Sequence, residues 1–131
     1  MKVPQSLDQL VESVIGAAIT VHKAMGPGLL ESVYEGALEI ELQEMGLSTR
    51  RQQEISVQYK GHDLGVGFRI DLLVDGRLIL ELKSVKEIED IHKAQLITYL
   101  KLAEKETGLL INFNSVLLKD GIHRLYRGAR A

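Results

Sequence analysis

Apolar residues in the first part of the chain recur every three to four positions, which is the spacing of an amphipathic helix. One helix is predicted over residues 7–25, with Ser6 as its N-cap and the Gly-Pro-Gly run at 26–28 as its end. A second helix is predicted from about residue 29 to 45, and Gly46 is placed to stop it. The chain therefore opens with two consecutive helices joined by a tight turn.

After about residue 51 the period changes to two, which is typical of strands. The segments predicted from this part are strands at 55–59, 68–74 and 77–83, a third helix at about 89–107 that ends at Gly108, and strands at 109–113 and 122–126. The order ααβββαββ indicates a single α+β (mixed α/β) domain over residues 1–131, with a central sheet flanked by helices.

Charged residues interrupt two of the predicted apolar strands. Asp71 lies within an apolar run, and an ionised carboxylate buried there without a partner or a metal costs several kcal/mol. Glu81 and Lys83 are two residues apart, so both side chains project from one strand face. Two carboxylates and an ammonium on neighbouring strands can hold a divalent metal and activate a water. The alternatives are a salt bridge from Arg69 to Asp71 and, for the Glu-Leu-Lys tripeptide alone, charge on a solvent face.

The hairpin at Asp75-Gly76 decides whether these charges share a face. A three-residue loop at 74–76, with a left-handed Gly76, pairs Asp71 with Ile79 and sets it diagonal to Glu81. A two-residue turn would send Asp71 to the opposite face. A shared site therefore predicts an odd-numbered loop or a bulge.

Polar residues also interrupt the apolar faces of two predicted helices. His92, Gln95 and Tyr99 fall within about 60° of one another on the third helix. Glu31 and Tyr34 lie one turn apart on the second. Ordinary structural roles remain open for two of them, a core tyrosine for Tyr99 and a favourable helix-dipole contact for Glu31.

The composition excludes several kinds of functional site. The absence of cysteine excludes disulfides, thiolate catalysis and Cys-ligated metal sites, and the four histidines lack the spacing of a zinc site. No membrane span or signal segment is expected, so a cytoplasmic protein is the default. The net charge of −2 argues mildly against a protein that coats nucleic acid, although basic residues in 119–131 permit a small basic groove.

Taken together, the motifs resemble the small bacterial and archaeal GxxExxY proteins, which are placed in the PD-(D/E)XK nuclease superfamily. The residues that carry the resemblance are Gly28-x-x-Glu31-x-x-Tyr34, Asp71, Glu81-x-Lys83 and Gln95-x-x-x-Tyr99. The resemblance covers nearly the whole chain, and only Ile70 departs, where the superfamily name has proline. It implies a restriction-endonuclease-like core.

The resemblance also implies roles for individual residues. Asp71 and Glu81 would ligate Mg²⁺ or Mn²⁺, with the Leu82 carbonyl as a further ligand, and Lys83 would orient or deprotonate the attacking water. Glu31 would touch the metal through water. The remaining candidates are expected at the substrate: Gln95 and Tyr99, which match the helix motif that holds the substrate backbone, and Tyr34, Arg69 and His92 as binding residues.

The sequence thus predicts a metal-dependent nuclease that hydrolyses DNA or RNA with a metal-activated water. The alternative is a module of the same fold that binds nucleic acid or a protein partner with little or no turnover. A homodimer is a secondary expectation, with the apolar surface of the first helix as its contact.

Overall fold

The computed structural model describes residues 5–129. Its helices and strands are α1 (Leu7–Met25), α2 (Glu31–Glu44), β1 (Thr49–Tyr59), β2 (His62–Val74), β3 (Leu78–Lys83), α3 (Asp90–Leu102), β4 (Thr107–Asn112) and β5 (Ile122–Tyr126). A 3₁₀ turn at Leu118–Gly121 precedes β5. The predicted order ααβββαββ is confirmed.

The five strands form one sheet in the order β1-β2-β3-β4-β5. β3 and β4 run parallel, with α3 as the crossover between them, and the other neighbours are antiparallel. α1 and α2 pack on one face of the sheet through a large apolar cluster, and α3 packs on the other face through a smaller one. The result is a mixed sheet between two helical layers, a restriction-endonuclease-like arrangement.

α1 is anchored at its start and along its apolar face. The Ser6 hydroxyl accepts the Gln9 N–H, and the Gln9 side chain accepts the Ser6 N–H, so the predicted cap forms a full capping box. The apolar positions of the helix are buried inside the protein, among them Leu10, Val14 and Ala18. Because this face is used within the chain, it does not offer the dimer contact expected from the sequence. Across residues 5–129, no helix is both long enough and apolar enough to cross a membrane.

α3 ends five residues earlier than predicted. Glu104 adopts a left-handed φ of 55°, and the Lys105 N–H donates to the Leu100 carbonyl at 3.0 Å. This Schellman-type closure usually carries glycine, so a glutamate in that position gave no sequence signal. Gly108, the predicted stop, instead lies inside β4, where an added Cβ would sit 3.0 Å from a Leu96 methyl group.

The loop between β2 and β3 contains three residues, as predicted, but its position differs. It comprises Asp75-Gly76-Arg77, with Val74 paired to Leu78, and Ile79 is paired to Leu73. The expected pairing of Ile79 with Asp71 is therefore wrong by two residues. Continued by one residue beyond the pair Leu72 and Leu80, the observed register brings Asp71 level with Glu81, so the two carboxylates lie closer than the diagonal arrangement would allow.

Candidate functional site

The site begins at an irregularity in β1 and β2. Ile70 belongs to the apolar cluster under α3, whereas Leu72 belongs to the cluster under α1 and α2, so the alternation of faces reverses at Asp71. On β1 the residue level with Asp71 is Gln52, which has a left-handed φ of 51° and lies between paired residues without being paired itself. The reversal removes Asp71 from the regular pleat.

The Asp71 carboxylate is fixed by two hydrogen bonds. Backbone pairing between β2 and β3 ends at Leu72 and Leu80. Beyond that point Asp71 Oδ2 accepts the Leu82 N–H at 2.8 Å, and Oδ1 lies 3.4 Å from the donating Gln52 Nε2. The side chain thus fills the gap where the two strands separate, and it directs its carboxylate toward β3.

Glu81 is the most perturbed acid of the site. Its side chain is 7% exposed, and its Oε1 is buried without a hydrogen-bond partner. Burial, a hydrogen bond with the Asp71 carboxyl and the Asp71 charge together raise the pKa of Glu81 to about 10, although the Lys83 charge acts to lower it. Without a cation beside it, Glu81 is therefore protonated at neutral pH.

These groups fit a hard divalent cation. Two carboxylates from neighbouring strands meet, and one buried oxygen lacks a partner. Mg²⁺ in proteins is commonly held by one or two carboxylates with water completing its shell. Within residues 5–129 no cluster of three or more His, Cys, Asp or Glu side chains forms a fuller metal cage. Asp71 and Glu81 are the residues that would hold the ion, and the Leu82 carbonyl stays a prediction.

A cavity of about 220 Å³ opens beside Asp71, toward α2. It is lined by Glu31, Ser32, Glu35, Gln52, Asp71 and Leu82. Glu31 Oε2 accepts the Ser84 N–H at 3.1 Å, which links the first turn of α2 to the residue after β3. The structure therefore brings Glu31 and Asp71 to one cavity, and the metal contact through water that the resemblance implies for Glu31 stays a prediction.

Glu35, Arg51 and Gln52 were missed by the sequence analysis. Glu35 is 6% exposed and is paired with Arg51, whose Nε and Nη2 both lie 2.9 Å from Glu35 Oε2. The Gln52 amide donates to Glu35 Oε1 at 2.7 Å. Glu35 follows Glu31 by one helical turn, so the i,i+4 spacing was an available signal. No local pattern pointed to Arg51 or Gln52.

Lys83 and Tyr99 approach the carboxylates from the end of β3 and from α3. Lys83 is half-buried, and its charge acts on Glu81. Tyr99 stacks on Phe68 with ring centroids 4.1 Å apart. Burial raises the pKa of Tyr99, as do the negative charges of Glu81 and Asp71, so its hydroxyl lies within the field of the site. Both residues therefore converge on the site.

Asn112 holds the segment that follows Lys83, and the sequence analysis did not identify it. Asn112 is buried at the end of β4, paired with Lys83. Its amide accepts the Val85 N–H at 3.1 Å and donates to the Val85 carbonyl at 2.9 Å. This double contact fixes the chain just after Lys83.

Two further candidates on α3 lie toward solvent or at the helix start. Gln95 is exposed on α3, one turn before Tyr99. His92 Nδ1 accepts the Glu89 N–H at 2.9 Å, which caps the helix, and His92 also lines a separate cavity of about 390 Å³ with Glu89 and Val85–Glu87. The structure does not join His92 to the carboxylates.

Arg69 and Tyr34 occupy positions that differ from those expected. Arg69 is exposed and pairs with Glu54 at 3.2 Å, so the alternative of a salt bridge to Asp71 is wrong. Tyr34 is fully buried: its hydroxyl donates to the Gly26 carbonyl at 2.6 Å and accepts the Leu29 N–H at 3.1 Å. This burial contradicts a direct substrate contact. Tyr34 instead fixes the turn that leads into α2.

Comparison with known proteins gives the family and the fold. The family model of the PD-(D/E)XK nuclease superfamily matches residues 8–125. The crystal structure of SSO0001 is similar in fold, with a TM-score of 0.52 and 20% identity over 95% of this chain. The chain spans 60% of that protein's length. No curated protein matches. The matching span and the observed fold together identify the chain as a member of the PD-(D/E)XK nuclease superfamily.

Proposed function

We propose that this protein is a metal-dependent nuclease of the GxxExxY branch, which hydrolyses phosphodiester bonds in DNA or RNA with Mg²⁺ or Mn²⁺ held by Asp71 and Glu81. Membership of the nuclease superfamily supplies the reaction class and makes nucleic acid the substrate class. The sequence motifs, the cavity shared by Glu31 and Asp71 and the action of the Lys83 charge on Glu81 support the finer assignment.

The observation that carries the proposal is the pair formed by the buried Glu81 and the half-buried Asp71. Glu81 is nearly inaccessible, one of its oxygens has no partner, and the charge that acts on it most strongly is that of another acid, Asp71. Two acids in contact resist ionisation, and burial adds to the cost. A divalent cation held by Asp71 and Glu81 would offset both penalties, because it would favour the ionised forms. A module that only binds a partner has no use for such a pair.

The side chains around the pair have distinct tasks. When bound, a divalent cation polarises the phosphoryl group and lowers the pKa of a water. Lys83, beside Glu81, places a positive charge where the phosphoryl oxygens gain negative charge, and it orients the attacking water. Glu31, across the cavity, accepts hydrogen bonds from water in that cavity.

Substrate contacts are assigned to side chains of α3 and to Arg69 on β2. Tyr99, whose hydroxyl lies in the field of both acids, is placed to donate to a phosphate oxygen. Gln95 and Arg69 are exposed and can reach a nucleic-acid backbone, and Arg69 can exchange its pairing with Glu54 for a phosphate. His92 is assigned a contact further along the strand, since it lines the neighbouring cavity.

Cleavage of labelled substrates tests the proposal. Single-stranded DNA, duplex DNA, branched DNA and RNA are incubated with purified protein and Mn²⁺ or Mg²⁺, with EDTA as one control. Lys83→Ala is expected to slow cutting by about 10²–10³-fold, the size of effect seen when a transition-state charge partner is removed. Lys101→Ala, an exposed lysine in the last turn of α3, serves as the matched control and is expected to cut normally.

Two results would contradict the proposal. Cutting that persists in EDTA or in Lys83→Ala would come from another site or another protein. The absence of cutting on every substrate, together with the absence of Mn²⁺ binding, would remove the metal-dependent nuclease altogether.

A further inference from the structure

Gln52 has a backbone conformation that a strand does not need. Its φ of 51° is left-handed, a region that few residues other than glycine adopt and that is costly inside a strand. The neighbouring residues Arg51 and Gln53 both pair with β2, with Leu72 and Ile70, so the distortion is confined to one residue. The conformation turns the Gln52 side chain out of the strand's regular alternation.

The Gln52 side chain lies between two acidic side chains. Gln52 Nε2 donates to Glu35 Oε1 at 2.7 Å and lies 3.4 Å from Asp71 Oδ1. Glu35 is buried and held by Arg51 through two nitrogens at 2.9 Å. One primary amide has two N–H groups, which matches two acceptors on opposite sides. A chain of contacts therefore runs from Arg51 through Glu35 and Gln52 to Asp71.

We propose that Gln52 is a positioning residue for Asp71, which holds the carboxylate in the orientation that binds a divalent cation and is itself fixed by Glu35 and Arg51. The inference rests on the proposed function in one respect, the assignment of Asp71 as a metal ligand. With the Leu82 N–H on Oδ2 and the Gln52 amide on Oδ1, both oxygens are restrained. Each oxygen keeps a further lone pair, so the restraint leaves the carboxylate able to bind a metal.

The choice of a neutral amide has a chemical reason. A lysine or arginine at position 52 would also restrain Asp71, but its positive charge would repel a divalent cation at the same carboxylate. The amide donates a hydrogen bond without a net charge. The positive charge of the neighbouring Arg51 is paired with the Glu35 carboxylate.

Two substitutions distinguish the effect of losing the Gln52 amide from the effect of its strained backbone conformation. Gln52→Gly removes the amide, and glycine adopts the left-handed φ without strain. Gln52→Ala removes the amide and keeps the strain. Gln53→Ala is the matched control, since Gln53 is the same residue type on the same strand and its amide contacts the Glu54 carbonyl, not Asp71.

The measurement is the dissociation constant of Mn²⁺, obtained by titrating the intact protein and following free Mn²⁺ by electron paramagnetic resonance. Loss of a side chain that orients a metal ligand commonly weakens binding by 10–100-fold, and we expect about 10-fold for both Gln52→Gly and Gln52→Ala. Gln53→Ala is expected to bind like the wild type. Thermal unfolding in EDTA reports separately whether each variant folds.

A second readout distinguishes positioning from a general structural effect. If Gln52 acts through metal occupancy, raising Mn²⁺ restores the cleavage rate of Gln52→Gly to the wild-type value. A purely structural role predicts a rate that stays low at saturating Mn²⁺.

Different outcomes overturn different claims. Wild-type Mn²⁺ affinity in Gln52→Gly overturns the positioning role and leaves the metal site intact. If instead the wild type does not bind Mn²⁺, or binds it equally well after Asp71→Asn, the proposed metal site fails, and the role of Gln52 fails with it.

Discussion

The Asp71 carboxylate accepts the Leu82 N–H at 2.8 Å, at the point where backbone pairing between β2 and β3 has ended. A side chain thus takes over a hydrogen bond that a neighbouring strand would normally supply. The exchange leaves the two strands apart on the α2 side, where the cavity with Glu31 opens. The Asp71 carboxyl also forms a hydrogen bond with Glu81, and this bond and the Asp71 charge both raise the pKa of Glu81.

Asp71→Asn is expected to abolish stabilisation by Mn²⁺. A ligand that binds only the folded state adds about 2.7 kcal/mol to the free energy of unfolding at one hundred times its Kd. Asparagine has nearly the same shape but no negative charge, so it keeps the Leu82 contact and loses most of the metal affinity. Thermal unfolding with and without Mn²⁺ measures the change. Asp75→Asn, in the exposed loop of the same hairpin, should retain the full shift, and a shift that survives in Asp71→Asn would place the metal elsewhere.

Glu81→Gln is expected to remove a pH dependence from the metal-free protein. The folded pKa of Glu81 lies near 10 and the ordinary value is 4.5. Between these values the folded protein holds a proton that the unfolded chain has released, so the contribution to stability is full below pH 4.5 and declines as the pH rises toward 10. The slope is at most about 1.4 kcal/mol per pH unit.

Urea unfolding in EDTA at pH 6 and pH 9 measures this effect. Glutamine carries no titrating proton, and its amide can donate to Asp71, so Glu81→Gln should lose less stability than the wild type between the two pH values. Glu12→Gln, at an exposed position on α1, should behave like the wild type. Equal losses in the wild type and Glu81→Gln would contradict the assignment of a buried neutral acid.

The parts of the structure that the sequence predicted depend on local signals. Helical spacing and the Ser6 cap define α1, and Gly46, with φ of 78°, ends α2 as its position suggested. Charges inside apolar strands marked Asp71 and Glu81, because such residues require an unusual partner. These signals lie within a few residues of the feature that they predict.

The parts that the sequence did not predict depend on contacts between distant residues. Glu35 meets Arg51 and Gln52 across 16 and 17 residues of chain, and no periodicity encodes that meeting. Gln52, inside β1, and Glu104, just after α3, both have a left-handed φ, and neither is the glycine that would signal this conformation in a sequence. Tyr34 was misassigned for a related reason: a helix pattern shows a polar hydroxyl but not the Gly26 carbonyl that already binds it.

Tyr34→Phe is expected to lower the free energy of unfolding by about 1–2 kcal/mol, because the hydroxyl makes two backbone hydrogen bonds that phenylalanine cannot replace. The ring itself should remain stacked on Phe113, with centroids 4.4 Å apart. Urea unfolding measures the loss, and Tyr59→Phe, at an exposed tyrosine in the β1–β2 hairpin, is the control. Unchanged stability with an altered KM for nucleic acid would restore Tyr34 as a substrate contact.

Gly121→Ala is expected to destabilise the protein by about 1–3 kcal/mol, as overpacking does. Gly121 is buried before β5, and an added Cβ would collide with Ser115 Oγ and lie 2.5 Å from the Asn112 carbonyl oxygen. Asn112 fixes the chain after Lys83, so the displacement would reach the site.

Gly16→Ala makes the opposite change and serves as the paired measurement. Gly16 lies in α1 with no atom within 4 Å of an added Cβ, and alanine favours the helix by about 0.5–1 kcal/mol. Urea unfolding of both variants should therefore give shifts of opposite sign. If Gly121→Ala is as stable as the wild type, the segment around Ser115 and Asn112 can move to accommodate a Cβ. The tight packing assigned to Gly121 would then be wrong.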